Sequence, residues 1–421
     1  MTTEAVAETA SDSQKPQRIL LAGGRSPAAL ELARLFHAAG HRVFATESAP
    51  YHLCRVSRAV QRSFLVPPPS EGSERFAAAL CEIVREHRID LLIPTCEEIF
   101  HISKELGRFA GLCRVLAAPL AEMDRLHHKG KFIATVAEIG LPVPATVSVD
   151  TPDGWLPLLQ QSRFREGLVL KPAYSRFASR TLLLDLRRAP LSTAKRSKEM
   201  VEELETTGVS SQRPWVAQEL LRGEEWCTYS VAQSGRIAAH TAYRSRFRAG
   251  RGASIHYEPA EQPMLLDWVR RFVAGIGFTG QIAFDFMVSP EGAVMPMECN
   301  PRATSGVHLF SSDCGLTEAL LDPSALLAAD RIASPASKAG CGAMLSAAML
   351  SYGLVQAVRE RMPGEWLRAW QNGRDVVFRR DDPKPFAEQF RLLAWTRKTA
   401  KRRNLTLQQA STFDIEWNGD S

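Results

Sequence analysis

Apolar and polar residues alternate along two neighbouring stretches of the chain on either side of a short turn. The stretches cover residues 278–288 and 293–300, and Ser-Pro-Glu-Gly at 289–292 has the composition of a turn. Side chains along a strand point alternately to its two faces. The pattern therefore predicts a hairpin with one apolar face, made of Ile282, Phe284, Phe286, Val288, Met295, Met297 and Cys299.

The opposite face of this predicted hairpin carries oxygen ligands. A symmetric turn would place Asp285 opposite Pro296, with Glu298 and Asn300 following on the same face. Two carboxylates and an amide suit a hard divalent cation, and magnesium combines such ligands with phosphate oxygens. Proline inside a strand also favours an edge or a bulge, and a one-residue bulge would move Asp285 to the other face. The pattern leaves two alternatives, a metal-binding ribbon and a hairpin with a solvated polar face.

Short apolar runs alternate with amphipathic segments over residues 18–118. Strands are predicted at 18–22, 41–46, 63–66, 89–94 and 114–117, with helices between them, which indicates a parallel α/β layer. The Gly23-Gly24 turn lacks GxGxxG spacing, so we interpret it as a structural turn rather than a dinucleotide site. Residues 1–17 contain acidic residues and no apolar block, which predicts a disordered lead-in rather than a signal peptide.

A second unit is predicted over residues 119–330, divided at about residue 217. A helical region at 119–140 contains Lys129, and an apolar strand at 167–172 contains Lys171 near its end. A lysine at a strand end beside a loop can reach a phosphate. Strands and one helix at 263–275 precede the hairpin, and a helix at 316–327 follows it. Residues 331–421 form a C-terminal extension with a strand at 375–378 and a basic surface helix at 386–403.

Composition and charge exclude several classes of protein. The chain has 421 residues, enough for two or three domains, and 45% hydrophobic with 23% charged residues is ordinary for a soluble protein. Its net charge of +6 suits anionic substrates and is weak support for nucleic-acid binding. No apolar run approaches the roughly 18 residues of a membrane span. The eight scattered cysteines lack a CxxC pair, which predicts reduced thiols in a cytoplasmic protein and argues against zinc.

A basic segment at 244–258 precedes the hairpin. It carries Arg244, Arg246, Arg248 and Arg251. Charged runs are usually solvated, but guanidinium groups pair bidentately with carboxylates. Arg244 and Arg251 are therefore candidates for holding a substrate carboxylate.

Three motifs, in this order, resemble the ATP-grasp superfamily. They are LVLKPAYS at 168–175, VAQELLRGEEW at 216–226, and GQIAFDFMV with MPMECNPRATSG over 280–306. The run ECNPR resembles the family's E-x-N-P-R on its final strand. The resemblance covers residues 18–330 and is nearest to the carbamoyl-phosphate-synthetase-like and carboxylate-amine ligase branches. It implies a mixed α/β and α+β fold, in which a Rossmann-like pre-ATP-grasp layer precedes a two-subdomain ATP-grasp fold with antiparallel sheets.

The resemblance also implies roles for matching residues, with ATP and magnesium or manganese as cofactors. Asp285, Glu298 and Asn300 match the metal ligands, and Lys171 and Arg302 match the catalytic cations that contact phosphate. The hinge at 218–221 would bind adenine, and Glu225, or alternatively Glu224, would hold the ribose. The nucleotide-contacting set is Lys129, Lys171, Gln218, Glu219, Leu220, Leu221, Glu225 and Arg302.

The implied activity is ATP-dependent activation of a carboxylate as an acyl phosphate, which an amine then attacks. The expected partners are small molecules, without nucleic acid or membrane, and a homodimer is one option for the assembly. Activation of bicarbonate is an alternative. A non-catalytic nucleotide-binding protein is another, because the loop AYSRFASRT after Lys171 lacks the glycines of many relatives. A nucleic-acid binder would depend on the C-terminal basic helix alone.

Overall fold

The structure is a computed structural model in which the strands of the described residues form four sheets. No helix within the described part of the chain is both long enough and apolar enough to span a membrane. The described residues are 15–151, 158, 161–164, 166–174, 181–187, 202, 206–250, 253–335 and 342–419.

The first sheet is parallel, with strands in the order β3-β2-β1-β4-β5. Its central strands are apolar on both faces because helices cover the sheet on each side. The predicted parallel layer is confirmed. The strands are β1 (Arg18–Ala22), β2 (Arg42–Glu47), β3 (Arg62–Leu65), β4 (Leu91–Pro94) and β5 (Arg114–Val115), and the helices are Pro27–Ala38, Ser73–His87 and Glu98–Lys104.

The turn after β1 requires glycine at position 23. Gly23 has a φ of 78°, a left-handed conformation that favours glycine. A Cβ atom at this position would also lie 2.7 Å from the Oγ1 atom of Thr95. The close approach of the two loops therefore requires glycine here.

The second sheet is antiparallel, with strands in the order β6-β9-β7-β8. The predicted helical region at 119–140 consists of two helices, because His128 is extended and its side chain accepts a hydrogen bond from the Lys131 backbone N–H at 3.1 Å. The strands are β6 (Thr146–Val149), β7 (Gly167–Pro172), β8 (Leu182–Asp185) and β9 (Trp215–Glu219), and the helices are Leu120–His127 and Lys129–Glu138.

The third sheet has strands in the order β16-β15-β10-β11-β14-β17-β18. The helix Pro263–Ile276 covers its apolar face, where the rings of Trp268 and Phe286 lie 4.8 Å apart in an edge-to-face arrangement. The strands of this third sheet are β10 (Glu224–Gln233), β11 (Arg236–Arg244), β14 (His256–Pro259), β15 (Gly280–Val288), β16 (Val294–Asn300), β17 (Ala343–Met344) and β18 (Arg374–Asp375). The fourth sheet pairs β12 (Arg248–Ala249) with β13 (Ala253–Ser254).

The hairpin β15–β16 forms, but in a different register from the symmetric one. Val288 pairs with Val294, so the turn is one residue longer than predicted. A bulge next to Asp285 adds a second one-residue shift, and Asp285 lies directly opposite Glu298 rather than Pro296. Because side chains alternate with period two, the two shifts together restore the predicted face. Met295, between the two shifts, lies opposite Met287 on the cavity side, and Met297, the extra residue, lines the cavity described below. The predicted place of both methionines on the apolar face is therefore wrong.

The C-terminal region is largely helical. The predicted helix at 316–327 is interrupted near Pro323, and the predicted strand at 375–378 is reduced to β18. The Asp375 carboxylate explains this shortening, since it accepts hydrogen bonds from the backbone N–H groups of Val377 and Phe378 and turns the chain. The helices are Leu316–Leu321, Ser324–Ala328, Ser346–Ala348, Leu354–Arg359, Pro363–Asn372, Lys384–Arg403 and Leu407–Ala410.

A buried ionic cluster attaches the C-terminal region to the parallel sheet. The Nη2 atom of Arg25 lies 2.5 Å from Glu47 and 2.6 Å from Asp414, and the three side chains are at most 9% exposed. Arg25 and Asp414 are 389 positions apart in the sequence. The helix Lys384–Arg403 packs on the same side, where Glu388 pairs with Arg55 at 2.5 Å.

Glu47→Gln is expected to lower the free energy of unfolding by about 3 kcal/mol at pH 7, because Arg25 would lose a buried charged partner. Burial alone would raise the pKa of Glu47, but Arg25 lowers it from 4.5 to about 2. The contribution of Glu47 is therefore present above about pH 4.5 and is lost as the pH falls towards 2. Urea denaturation of both proteins at several pH values measures this difference.

Glu86→Gln is the matched control, because its contact with Arg62 is 4.0 Å long and both side chains are exposed. We expect this variant to unfold like the wild type. Equal stability of Glu47→Gln and Glu86→Gln at pH 7 would contradict the role of the ionic cluster.

Candidate active site

A cavity of about 1120 Å³ lies where the sheets meet the C-terminal region. The second sheet, the polar face of β15–β16, the loops of the parallel sheet and the C-terminal helices all contribute to its wall. Most of the residues singled out in the sequence line this cavity. They are Lys129, Lys171, Gln218, Glu219, Leu221, Glu225, Asp285, Glu298, Asn300 and Arg302.

Asp285, Glu298 and Asn300 form an acidic ribbon along one side of the cavity. Asp285 and Glu298 are cross-strand neighbours, and Asn300 lies opposite Ala283, two residues further along β15. Burial and then the negative charge of Glu298 raise the pKa of Asp285. The two carboxylates therefore repel each other unless a cation or a proton lies between them.

Two buried lysines converge on this ribbon. The Nζ atom of Lys129 is 3.4 Å from the Oε2 atom of Glu298. The Nζ atom of Lys171 donates hydrogen bonds to the Gln218 side chain and the Met297 carbonyl, both at 3.1 Å. Burial lowers the pKa of Lys171 to about 8, and Glu298 opposes part of that shift. Burial would raise the pKa of Glu298, but the charges of Lys129 and Lys171 lower it below its usual value.

The ribbon is suited to magnesium by the chemistry of its donors. Its three members offer only carboxylate and amide oxygens, which hard cations prefer. Among the described residues, no group of three or more His, Cys, Asp and Glu side chains could hold a metal ion by itself. A metal at the ribbon would therefore need further ligands, and magnesium takes these from water and phosphate.

Arg302 follows the ribbon and is held in place by its end. Its Nη2 atom donates to the Oδ1 atom of Asn300 at 3.0 Å, and its Nη1 atom donates to the Ala303 carbonyl at 3.1 Å. The Nε atom is buried and has no hydrogen-bond partner among the described residues. A guanidinium fixed in this way can bind an anion in the cavity with little further ordering.

The predicted hinge forms the end of β9. Gln218 connects Lys171 to β6, since its Nε2 atom donates to Thr146 at 3.1 Å. Glu219 is bonded to the backbone of Ala145 twice, through its own N–H at 2.9 Å and through its carboxylate at 3.0 Å. The Leu220 N–H donates to the Gly167 carbonyl, and the side chain of Leu220 is not part of the cavity wall.

The two neighbouring glutamates of β10 point in opposite directions. Glu225 lines the cavity and forms an ion pair with Arg248, which also lines it. Glu224 faces away and accepts hydrogen bonds from Arg244 at 2.8 Å and from the Trp226 indole at 3.0 Å. Of the two alternatives for the ribose, only Glu225 therefore lies at the cavity.

Arg244, which was predicted to hold a substrate carboxylate, does not reach the cavity, whereas Arg248 does. The guanidinium of Arg244 lies 5.2 Å from the centre of the Trp226 ring, outside the cavity wall. Arg251 lies outside the described residues, as do residues 175–180 of the loop after Lys171. Arg248 is the described arginine of the segment that reaches the cavity. Strand alternation over 244–248 could not select it, because three of these residues lie between β11 and β12.

Sequence reasoning missed one side of the cavity completely. Leu392, Thr396, Thr412 and Ile415 of the C-terminal region line it, together with residues 25–28. No local motif marks these positions, since they are brought together by contacts between distant parts of the chain, such as Arg25 with Asp414 and Arg55 with Glu388. The helix that contains Leu392 was predicted as a surface helix, and one face of it instead closes the cavity.

Neither models of protein families nor curated proteins gave a match to the chain, whereas solved structures did. The L-amino acid ligase from Bacillus licheniformis is 15% identical, with a TM-score of 0.51 over 72% of this chain and 70% of the ligase. N5-carboxyaminoimidazole synthetase from Staphylococcus aureus, complexed with ADP, is 13% identical, with a TM-score of 0.52 over 69% and 71%. The biotin carboxylase domain of the Hydrogenobacter thermophilus 2-oxoglutarate carboxylase, in complex with MgADP, ADP and bicarbonate, is 10% identical, with a TM-score of 0.53 over 69% and 65%.

At these identities the likeness establishes the fold. The chain has the ATP-grasp fold, as the resemblance of its three motifs predicts. The parallel sheet followed by antiparallel sheets agrees with the predicted fold class.

Proposed function

We propose that the chain is a magnesium-dependent ligase that uses ATP to join a carboxylate to an amine. The observation that carries this proposal is the convergence of Lys129 and Lys171 on Glu298, inside a cavity that also contains Asp285 and Arg302. Burying several opposite charges is costly, and such arrangements are typical of sites that bind a charged ligand. Solved structures with this fold contain ADP or MgADP, which supports nucleotide binding in this proposal.

In this proposal the phosphates of ATP lie beside the two lysines and the ribbon. Lys129 and Lys171 offset the phosphate charge, and Arg302 binds the transferred phosphoryl group. Leu221, Glu219 and Gln218 surround the adenine end of the cavity, and Glu225 accepts hydrogen bonds from the ribose. Asp285, Glu298 and Asn300 hold magnesium, or manganese in its place.

The metal, when bound, would neutralise phosphate charge and polarise the transferred phosphoryl group. The residues of the chain position the reactants. A substrate carboxylate oxygen attacks the γ-phosphorus, the bond to the β-phosphate oxygen breaks, and ADP leaves. The acceptor amine then attacks the acyl phosphate carbon, phosphate leaves with the bonding electrons, and the amine loses a proton.

Bicarbonate is the second candidate for the activated carboxylate, because the biotin carboxylase domain with this fold was crystallised with it. The cavity of about 1120 Å³ exceeds the roughly 300–1000 Å³ of pockets for single ligands, which fits a nucleotide bound together with further reactants in either candidate.

The full chain should be tested with ATP and magnesium against a panel of amino acids, other carboxylates, amines and bicarbonate. Phosphate release and mass detection of the product report the reaction. We expect an amide product and one ADP per product formed. ADP formation that requires bicarbonate and gives no amide would favour the second candidate. Absence of ADP formation with every combination would contradict the ligase proposal.

Arg248→Ala is expected to raise the Michaelis constant for the carboxylate substrate about tenfold, because a guanidinium at the cavity wall is lost. Arg244→Ala is the matched control, since Arg244 pairs with Glu224 outside the cavity. Arg251 was predicted from the sequence for the same role, and Arg251→Ala tests it separately. Steady-state kinetics with each variant give the result, and equal constants for Arg248→Ala and the wild type would exclude Arg248.

A further inference from the structure

One side of the cavity is built by two parts of the chain that are distant in sequence. We define the far wall as residues 25–28 and 95–96 of the parallel-sheet loops, with Leu392, Thr396, Thr412 and Ile415 of the C-terminal region. Residues 95–96 follow β4, and residues 25–28 follow the glycine turn after β1. The C-terminal region is held against these loops by the ionic cluster at Arg25.

Arg25 is the charged side chain of the far wall, and both terminal nitrogens of its guanidinium donate to groups of the protein itself. Its Nη1 atom donates to Asp414 at 2.8 Å and to the Ser411 carbonyl at 3.1 Å. Its Nη2 atom donates to Glu47 at 2.5 Å, to Asp414 at 2.6 Å and to Ser48 at 2.8 Å. The Nε atom is buried without a partner among the described residues, but both terminal nitrogens are occupied. Two buried carboxylates surround the guanidinium, so Arg25 offers a substrate carboxylate no net charge and no free pair of donors.

The two buried threonines of the far wall also use their hydroxyl protons internally. Thr95 donates to the Ala22 carbonyl at 2.7 Å, and Thr396 donates to the Leu392 carbonyl at 2.9 Å. Their oxygens can still accept hydrogen bonds. Pro27 is apolar, and so are Ala28, Leu392 and Ile415.

The other ionisable groups that line the cavity have partners within the protein. Lys129, Lys171, Asp285 and Glu298 lie at the ribbon, Arg302 donates to Asn300, and Glu225 pairs with Arg248. His308 lines the cavity, but it is buried beside Glu31 at 3.3 Å. A charged substrate group placed at the far wall would therefore lose water without gaining a partner, which is unfavourable.

We propose that the far wall is a subsite for the uncharged, largely apolar body of the amine acceptor, and that Leu392 and Thr396 determine which acceptors fit. The two residues are four positions apart, so they lie on the same face of the helix Lys384–Arg403. This inference rests on the proposed ligase function, and it adds the chemical class of the acceptor and the residues that select it.

The test compares L-leucine, L-lysine and L-glutamate as acceptors for the full chain, with kcat/KM measured from acceptor-dependent phosphate release. The wild type should prefer leucine by about tenfold or more, because the charged acceptors lack a partner at the far wall. Leu392→Glu should reduce kcat/KM for leucine by a further tenfold or more. Leu392→Ala should reduce it about threefold to tenfold, through lost apolar contact, even if the glutamate variant folds poorly.

Ala394→Glu is the matched control, because Ala394 is exposed on the same helix and does not line the cavity. It should leave kcat/KM unchanged. ADP affinity, measured by calorimetry, should stay within twofold of the wild type in all three variants.

A preference of the wild type for glutamate or lysine would overturn the inference, as would equal kinetics of both Leu392 variants and Ala394→Glu. In either case, intact ADP binding and turnover would leave the ligase proposal standing. Absence of both ADP binding and turnover in the wild type would overturn the two together.

Discussion

Glu298→Gln is expected to lower the turnover of ATP by about 100-fold to 1000-fold, because it removes a carboxylate that would hold the cation that offsets the charge of the transferred phosphate. Glu298 faces Asp285 across the hairpin and lies 3.4 Å from Lys129. The amide keeps the shape of the side chain but loses the charge that binds a cation and offsets the lysine. Steady-state phosphate release with saturating magnesium measures the effect.

The fold should survive this change, since the variant also removes the repulsion between Glu298 and Asp285. We expect a thermal unfolding midpoint within about 5 °C of the wild type. Glu291→Gln is the control, because Glu291 is exposed in the turn of the same hairpin. Turnover by Glu298→Gln within tenfold of this control would contradict the role given to the acidic ribbon.

Lys171→Met is expected to weaken ADP binding about tenfold to 100-fold, because a buried charge-assisted contact with phosphate is lost. The lysine is 8% exposed, and burial lowers its pKa to about 8. A cation held at such a cost is best explained by a ligand that stabilises it. Methionine fills a similar volume without the charge, so the loss can be assigned to the ammonium group. Calorimetry with ADP and magnesium gives the affinity.

Lys131→Met provides the comparison for this prediction. The side chain of Lys131 is 53% exposed and pairs with Asp124 at 2.7 Å. We expect its ADP affinity to match that of the wild type. The same small loss in both lysine variants would indicate a general effect of charge rather than a phosphate contact at Lys171.

The alternation of apolar and polar residues predicted the shared face of the acidic ribbon but not the register of the hairpin. Period-two alternation placed Asp285 and Glu298 on one face, and this depends only on strand geometry. The register depends on the length of the turn and on a bulge, neither of which alternation encodes. The two one-residue differences add to a full period, so Asp285 and Glu298 share the predicted face although Met295 and Met297 do not lie on the apolar face.

The burial of individual lysines and the positions of helix breaks are a second feature that sequence patterns do not determine. Sequence spacing alone does not distinguish Lys129 from Lys131, yet Lys129 is 4% exposed and Lys131 is at the surface. The helix break at His128 orients them, and the nearby Gly130 lies inside the second helix rather than at the break. At Pro323 the residue type does mark the interruption, although the predicted helix ran through it.

The far wall could not be predicted at all. Arg25 and Asp414 meet across 389 positions, and no periodicity relates two such distant segments. The helix Lys384–Arg403 has a basic C-terminal end, which fits a surface helix, but Leu392 and Thr396 on its other face reach the cavity. Long-range packing therefore supplies the part of the site that the motifs lack.

The most direct test of the central claim is a crystal structure of the full chain with ADP and manganese, whose anomalous signal locates the metal. The account predicts the diphosphate beside Lys129 and Lys171, with a manganese peak among Asp285, Glu298 and Asn300. Nucleotide bound elsewhere, or a manganese peak away from this ribbon, would contradict it.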